Sequence, residues 1–213
     1  MIPPNLTEPE LREALGLGHE QNGVEFKGPC EMRDRILFPR IVRAMCGMAN
    51  RREGGRVIVG VSDDPPRLEA VGLTETQLAT WSHDHLADAV APYVDPRIEF
   101  SLQVHAVDGR KLVLLHVSEF ADQPVLCRRR EEIRDGRGAV EVALREGALY
   151  IRPHGKHETR EPQTGAEMRQ ILDLAIERGV VRFESLAKIA GLKEPQETRS
   201  DREQFKAQAE DLL

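Results

Sequence analysis

Residues 98–117 constrain the fold more than any other stretch. Ile98, Phe100, Leu102, Val104 and Ala106 alternate with Glu99, Ser101, Gln103 and His105, the period of two that puts one set of side chains on each face of a β-strand. Asp108-Gly109 is a tight-turn pair, and residues 111–117 return as the partner strand. An antiparallel hairpin is therefore written into the chain, and the other segments must join or cover the sheet it starts. Two more strands are expected to do so. In residues 24–27, Val24 and Phe26 face one way while Glu25 and Lys27 face the other. Residues 56–61 carry Val57, Ile58 and Val59 in succession, as a strand buried on both faces does.

Helical periodicity fills the gaps. Thr7 can cap a short helix with Pro9 in its first turn and Leu11 and Leu15 four apart. Leu37, Ile41, Met45 and Met48 form the stripe of a helix over residues 34–50, with Pro39 near its first turn. Thr74 and Gln77 make a capping box for a helix reaching about Ala91. A second hairpin is expected over residues 125–145, turning at DGRG, followed by a short strand at 149–152. After Glu161-Pro162 the pattern turns helical. Met168, Ile171, Leu172 and Ala175 form one face, Leu186, Ile189 and Ala190 another, and Phe205, Ala209 and Leu212 a third. These read as a helical hairpin that docks on the main body or mediates self-association. A DNA-reading helix-turn-helix is disfavoured, because residues 184–192 are poor in Arg, Asn and Gln. The fold class is mixed α/β (α+β), with a central mixed sheet, hairpins and flanking helices, and the division is 1–162 for the main domain and 163–213 for a helical appendage.

Composition narrows the function. No apolar run approaches the ~20 residues of a membrane span, and MIPPNLTEPE carries acid where a signal peptide needs base. The three cysteines, Cys30, Cys46 and Cys127, are scattered with no CxxC spacing, which points to a reducing cytoplasm rather than a zinc site. The formal net charge is −6, yet residues 125–160 hold nine Lys/Arg against six Asp/Glu. That strip suits phosphate contact or a solvated hairpin face. No GxxxxGK[ST], HExxH or GxSxG occurs. Gly54-Gly55 can supply a phosphate-facing loop or only a positive-φ link between helix and strand.

The chemistry-bearing residues gather at the ends of residues 20–64. Glu20 precedes a strand, Glu25 lies in it, and Asp63 follows another strand. If the two strands are neighbours, the three carboxylates can converge at one sheet end. Hard oxygen donors of this kind hold Mg²⁺ or Mn²⁺ beside a phosphate, and such an ion activates water for hydrolysis. Lys27 shares the face of Glu25, where it can stabilise charge on a phosphate or simply form a surface ion pair.

The ordered set EQNGVEFK, a helix ending AMCGMAN, the GG turn and RVIVGVSDD resembles the Schlafen AlbA-2 domain, also called the divergent AAA-4 domain. LYIRPHGKHETREP is similar to that domain's closing segment, and the resemblance spans about residues 10–162. It departs from the family pattern at Ser62, where aspartate is common, and in a longer hairpin around Asp135. The resemblance implies a metal-dependent endonuclease, most readily an endoribonuclease acting on tRNA or other structured RNA, with DNA as a second substrate class. It assigns Glu20, Glu25 and Asp63 to Mg²⁺ or Mn²⁺ and Lys27 to the phosphate. Arg51, Arg52, Arg128, Arg129, Arg130, Arg152, Lys156 and Arg160 are then the backbone contacts, and a homodimer through residues 165–213 would complete a groove. The alternatives are a non-catalytic, regulatory nucleic-acid-binding module and an ATP-binding domain.

Overall fold

A computed structural model of the chain describes residues 8–16, 23–62, 68–134, 138–153 and 158–191. The elements run α1 (Glu8–Gly16), β1 (Val24–Lys27), α2 (Leu37–Ala49), β2 (Gly55–Val59), β3 (Val61–Ser62), β4 (Glu69–Ala70), α3 (Glu75–Leu78), α4 (His83–Val90), β5 (Val94–Asp95), β6 (Phe100–Val107), β7 (Arg110–Val117), β8 (Leu126–Cys127), β9 (Glu131–Arg134), β10 (Val140–Leu144) and α5 (Gly165–Ile189). Four strands form the main sheet in the order β1-β2-β7-β6. β1 and β2 are parallel, joined through α2, and the other two pairings are antiparallel. The β6–β7 hairpin forms as its alternation requires, with positive φ at both Asp108 and Gly109. The result is a mixed α/β fold around a central mixed sheet.

Both faces of the sheet are covered, which explains the unbroken apolar run in β2. Ile41, Val42, Met45 and Met48 of α2 pack on Val57, Val59, Val113 and Leu115. On the opposite face Leu11 of α1 meets Phe26, Ile58, Leu112 and Leu114. Every residue of β2 is buried as a consequence. Each such aliphatic side chain contributes about 1.5–3 kcal/mol by leaving water. Among the described residues, no helix is long and apolar enough to cross a membrane.

The structure departs from the sequence expectations at several joints, each with a local cause. α2 starts at Leu37 rather than Asp34, because the Asp34 carboxylate accepts the amides of Ile36 and Leu37 at 2.9 and 2.7 Å. Gly60, with φ 105°, ends β2 at Val59. The helix expected from 74 to 91 is two helices. Thr74 and Gln77 do form the capping box, but Thr80 and Trp81 turn inward to residues near α2. Thr80 Oγ1 accepts the Met32 amide at 2.9 Å, and the Trp81 indole donates to the Cys30 carbonyl at 3.0 Å. Ser82 then caps α4.

Residues 149–152 make isolated bridges, Leu126 to Leu149 and Ile151 to Arg160, rather than a strand. In place of a helical hairpin, residues 165–189 are one 25-residue helix, opened by a Thr164–Glu167 capping box and passing through Gly179 unbroken. The stripe of Phe205, Ala209 and Leu212 lies outside the described residues, as does Thr7.

Candidate functional site

β1 is an edge strand, so its alternation decides what the edge presents. Val24 and Phe26 point to the α1 side, and Glu25 and Lys27 to the other, in register with Val57 and Val59. Glu25 is 9% exposed, and each oxygen of its carboxylate meets a cation. Lys27 Nζ bonds Oε1 and Arg152 Nη1 bonds Oε2. Arg152 Nη2 also donates to the Val24 carbonyl at 2.9 Å. One carboxylate between two cations leaves the cluster with a net charge of +1, so loss of the carboxylate would set two like charges facing each other in a poorly solvated place.

Arg152 owes its position to Asn50. The C-terminal end of α2 delivers Asn50, whose Nδ2 donates to the carbonyls of Val125 (2.8 Å) and Tyr150 (2.9 Å). Its Oδ1 accepts the Val125 amide at 2.7 Å. One buried side-chain amide thereby joins α2 to the segments at 125 and 150. The two residues that follow Asn50 are Arg51 and Arg52; two residues after Tyr150 comes Arg152.

These residues line one cleft of about 500 Å³. Its floor carries Asn50, Arg51, Arg52 and Arg152, and α5 forms a wall with Glu167, Gln170, Asp173 and Leu174. Arg51 Nη1 donates to the Gly54 carbonyl at 2.7 Å, and burial lowers its pKa below that of a free guanidinium. Arg52 makes a two-pronged pair with Glu177 at 2.9 and 2.6 Å, which raises its own pKa and lowers that of the glutamate. Arg178 pairs with Glu119 at 2.5 and 2.8 Å, and Arg182 pairs with Asp122. Where α5 begins, Arg160 grips Glu167 at 2.6 and 3.0 Å and holds that carboxyl down at about 2.

The other arginines named from the sequence sit in different concavities. Arg129 lies over the Tyr93 ring at 5.2 Å in a hollow of about 470 Å³, and Arg128 is exposed. Arg130 and Arg160 line a third hollow with Arg43 and Arg145. Arg43 donates to the Thr159 carbonyl at 2.8 and 2.5 Å, and Arg145 pairs with Glu161. Arg43 and Arg145 were not singled out by the sequence, where they sit in an ordinary amphipathic helix and at the end of an ordinary strand.

Glu20, Asp63 and Lys156 lie outside the described residues. β1 and β2 are neighbours, as convergence of the carboxylates requires, and Asp63 directly follows Ser62, the last residue of β3. Among the described residues, no three His, Cys, Asp or Glu side chains gather as a metal cluster. The Gly54-Gly55 pair acts as a backbone joint: Gly54 has φ 68°, its amide bonds the Arg51 carbonyl at 2.9 Å, and a Cβ there would collide with the Val117 carbonyl oxygen.

The family profile described as Schlafen, AlbA_2 matches residues 20–156. The chain belongs to the Schlafen AlbA_2 family. The AlbA_2 match takes in β1, α2, β2, Asn50 and Arg152 but stops short of Arg160 and α5. The acidic wall of the cleft is thus supplied by residues beyond the matched AlbA_2 region.

Two solved structures are similar at 18% identity. One is the N-terminal domain of a putative ATP-dependent DNA helicase RecG-related protein from Nitrosomonas europaea, with a TM-score of 0.45 over 72% of this chain and 99% of that one. The other is the DIP2311 protein from Corynebacterium diphtheriae, with a TM-score of 0.39 over 62% of this chain. The match spans 27% of the Corynebacterium chain, about a quarter of its length. A search of curated proteins finds no match.

Proposed function

We propose that this AlbA_2 protein is a divalent-metal-dependent endonuclease acting on structured RNA, with tRNA as the leading substrate class. The observation that carries the reading is the Lys27–Glu25–Arg152 arrangement at the sheet edge, beside a cleft floored by Arg51 and Arg52. Guanidinium groups beside the carboxylate would neutralise a phosphate backbone brought to this edge.

The donor chemistry fits Mg²⁺ or Mn²⁺. Lys27 and Arg152 each engage one oxygen of Glu25, and a carboxylate has about four lone-pair sites. Glu25, with Glu20 and Asp63, would hold the ion. When bound, it would polarise the scissile phosphate and lower the pKa of an attacking water. Lys27 keeps an ammonium on the reacting face, where it opposes charge gathering on the phosphate oxygens. Arg51 and Arg52 bind the flanking backbone and set its direction, while Arg152 fixes the Glu25 rotamer.

The test is cleavage of tRNA, ribosomal RNA and DNA with and without Mn²⁺, comparing wild type with Glu25→Gln and Asp63→Asn proteins of wild-type circular dichroism. Metal-dependent cutting lost in both variants is expected. Binding without any cutting would replace the proposal with a non-catalytic nucleic-acid-binding module. The pairing of each Glu25 oxygen with a cation is the observation that favours that second reading.

A further inference from the structure

We propose that the outward face of α5 is a dimer seam, closed by α5 of a second copy of this chain. α5 has two apolar faces. Ile171 and Leu174 are buried against the body, with Ala175 and Arg178 half-buried beside them. On the other side Met168, Leu172, Ile176, Val180, Phe183 and Leu186 are exposed, and at 100° per residue they fall within an arc of roughly 120°. Ile176 is 62% exposed and Phe183 68%. Of thirteen exposed large apolar side chains among the described residues, eight lie on α5, and six of those eight fall in this arc.

The spacing specifies what covers it. Leu172, Ile176, Gly179, Phe183, Leu186 and Ala190 alternate by four and three residues, the seam of a helix that packs along another helix. No charged residue interrupts that seam. The six exposed side chains on this face amount to roughly 600 Å², the low end of the ~600–1,000 Å² each partner contributes to a stable interface. That is the upper end of the about 300–600 Å² that the largest apolar patch of a typical monomer covers, and such patches mark interaction sites.

From Val180 to Gly191 no residue is buried, and a helical stretch of that length is marginal alone in water. The face is also self-complementary, as a two-fold contact demands, since the same apolar patch meets itself. Asp173, Glu177 and Glu184 border it, which disfavours an anionic lipid surface as the occupant. The inference rests on α5 alone and is independent of the nuclease reading.

Sedimentation equilibrium on the full chain over a wide concentration range tests it. The expected mass is twice the 24.0 kDa of one chain. Ile176→Glu combined with Phe183→Glu should sediment as a monomer of unchanged helix content. Val104→Glu with Val140→Glu, at exposed apolar positions off α5, should stay dimeric. If the glutamates unfold α5, Ile176→Gln with Phe183→Gln gives the same reading with milder side chains. A wild-type monomer at every concentration means that the face is covered within the chain or left open, and it overturns the proposal. So does a dimer that survives the α5 substitutions.

Discussion

Arg152 crosses 127 positions of sequence to set its guanidinium, wholly buried, against the carboxylate of Glu25. Removing the Glu25 carboxylate leaves the Arg152 and Lys27 charges unpaired against each other, so Glu25→Gln should cost about 3–5 kcal/mol of folding stability in urea titration, and Arg152→Met, which leaves Glu25 paired with Lys27, should cost less. The double variant Arg152→Met with Glu25→Gln should recover part of that loss. A double variant as unstable as the sum of the two singles would show that the residues are not coupled.

Asn50 makes three hydrogen bonds from a buried position. Asn50→Ala leaves one amide and two carbonyls without that partner and should cost roughly 2–4 kcal/mol, at about 1–3 kcal/mol for a buried group left unsatisfied. Chemical denaturation reads this directly, and a loss under 1 kcal/mol would mean that water replaces the side chain.

Glu177 occupies the prongs of Arg52. Glu177→Gln should therefore tighten nucleic-acid binding and steepen the salt dependence by about one phosphate contact. Fluorescence anisotropy at several salt concentrations measures the slope. An unchanged slope would place Arg52 outside the binding surface.

His116 lies on β7 in register with Arg56, and its pKa is lowered first by burial and then by that guanidinium. Above its ordinary pKa of about 6.5 the ring is neutral whether the chain is folded or not. As pH falls below that value the unfolded chain takes up the proton first, so stability declines with acidification. His116→Asn should flatten the profile between pH 6.5 and the lowered folded pKa, as thermal melts across that range would reveal.

The carboxyl of Glu167 is also shifted down, from its ordinary value near 4.5 to about 2, first by its hydrogen bond from Arg160. Its stabilisation is complete above pH 4.5 and is lost as pH falls towards 2. Amide exchange in the first turn of α5 should quicken over that window in wild type and be fast already at neutral pH in Glu167→Gln. Equal protection in the two proteins at neutral pH would remove Glu167 as the anchor.

The parts of this molecule that can be read from its sequence are those set by neighbours in sequence. The β6–β7 hairpin follows from period-two alternation and Asp108-Gly109, and the shared face of Glu25 and Lys27 follows from their spacing. What escapes reading is set by distant partners. The break between α3 and α4 depends on Trp81 reaching Cys30, 51 residues away. The gathering of Arg51, Arg52 and Arg152 depends on Asn50 meeting residues 75 and 100 positions further along. The acidic lining of their cleft comes from a helix whose periodicity suggests two shorter ones, because Gly179 reads as a break in the sequence while the helix passes through it.

On the function proposed above, the Arg52–Glu177 pair would make entry into the cleft an exchange of anions. An arriving phosphate would have to displace a carboxylate that already satisfies the guanidinium, so its net gain would be the difference between two similar interactions. A ligand with one negative group would gain almost nothing from that swap. A polyanion would recover the loss at neighbouring contacts, and the cleft would then select for chain length as well as for charge.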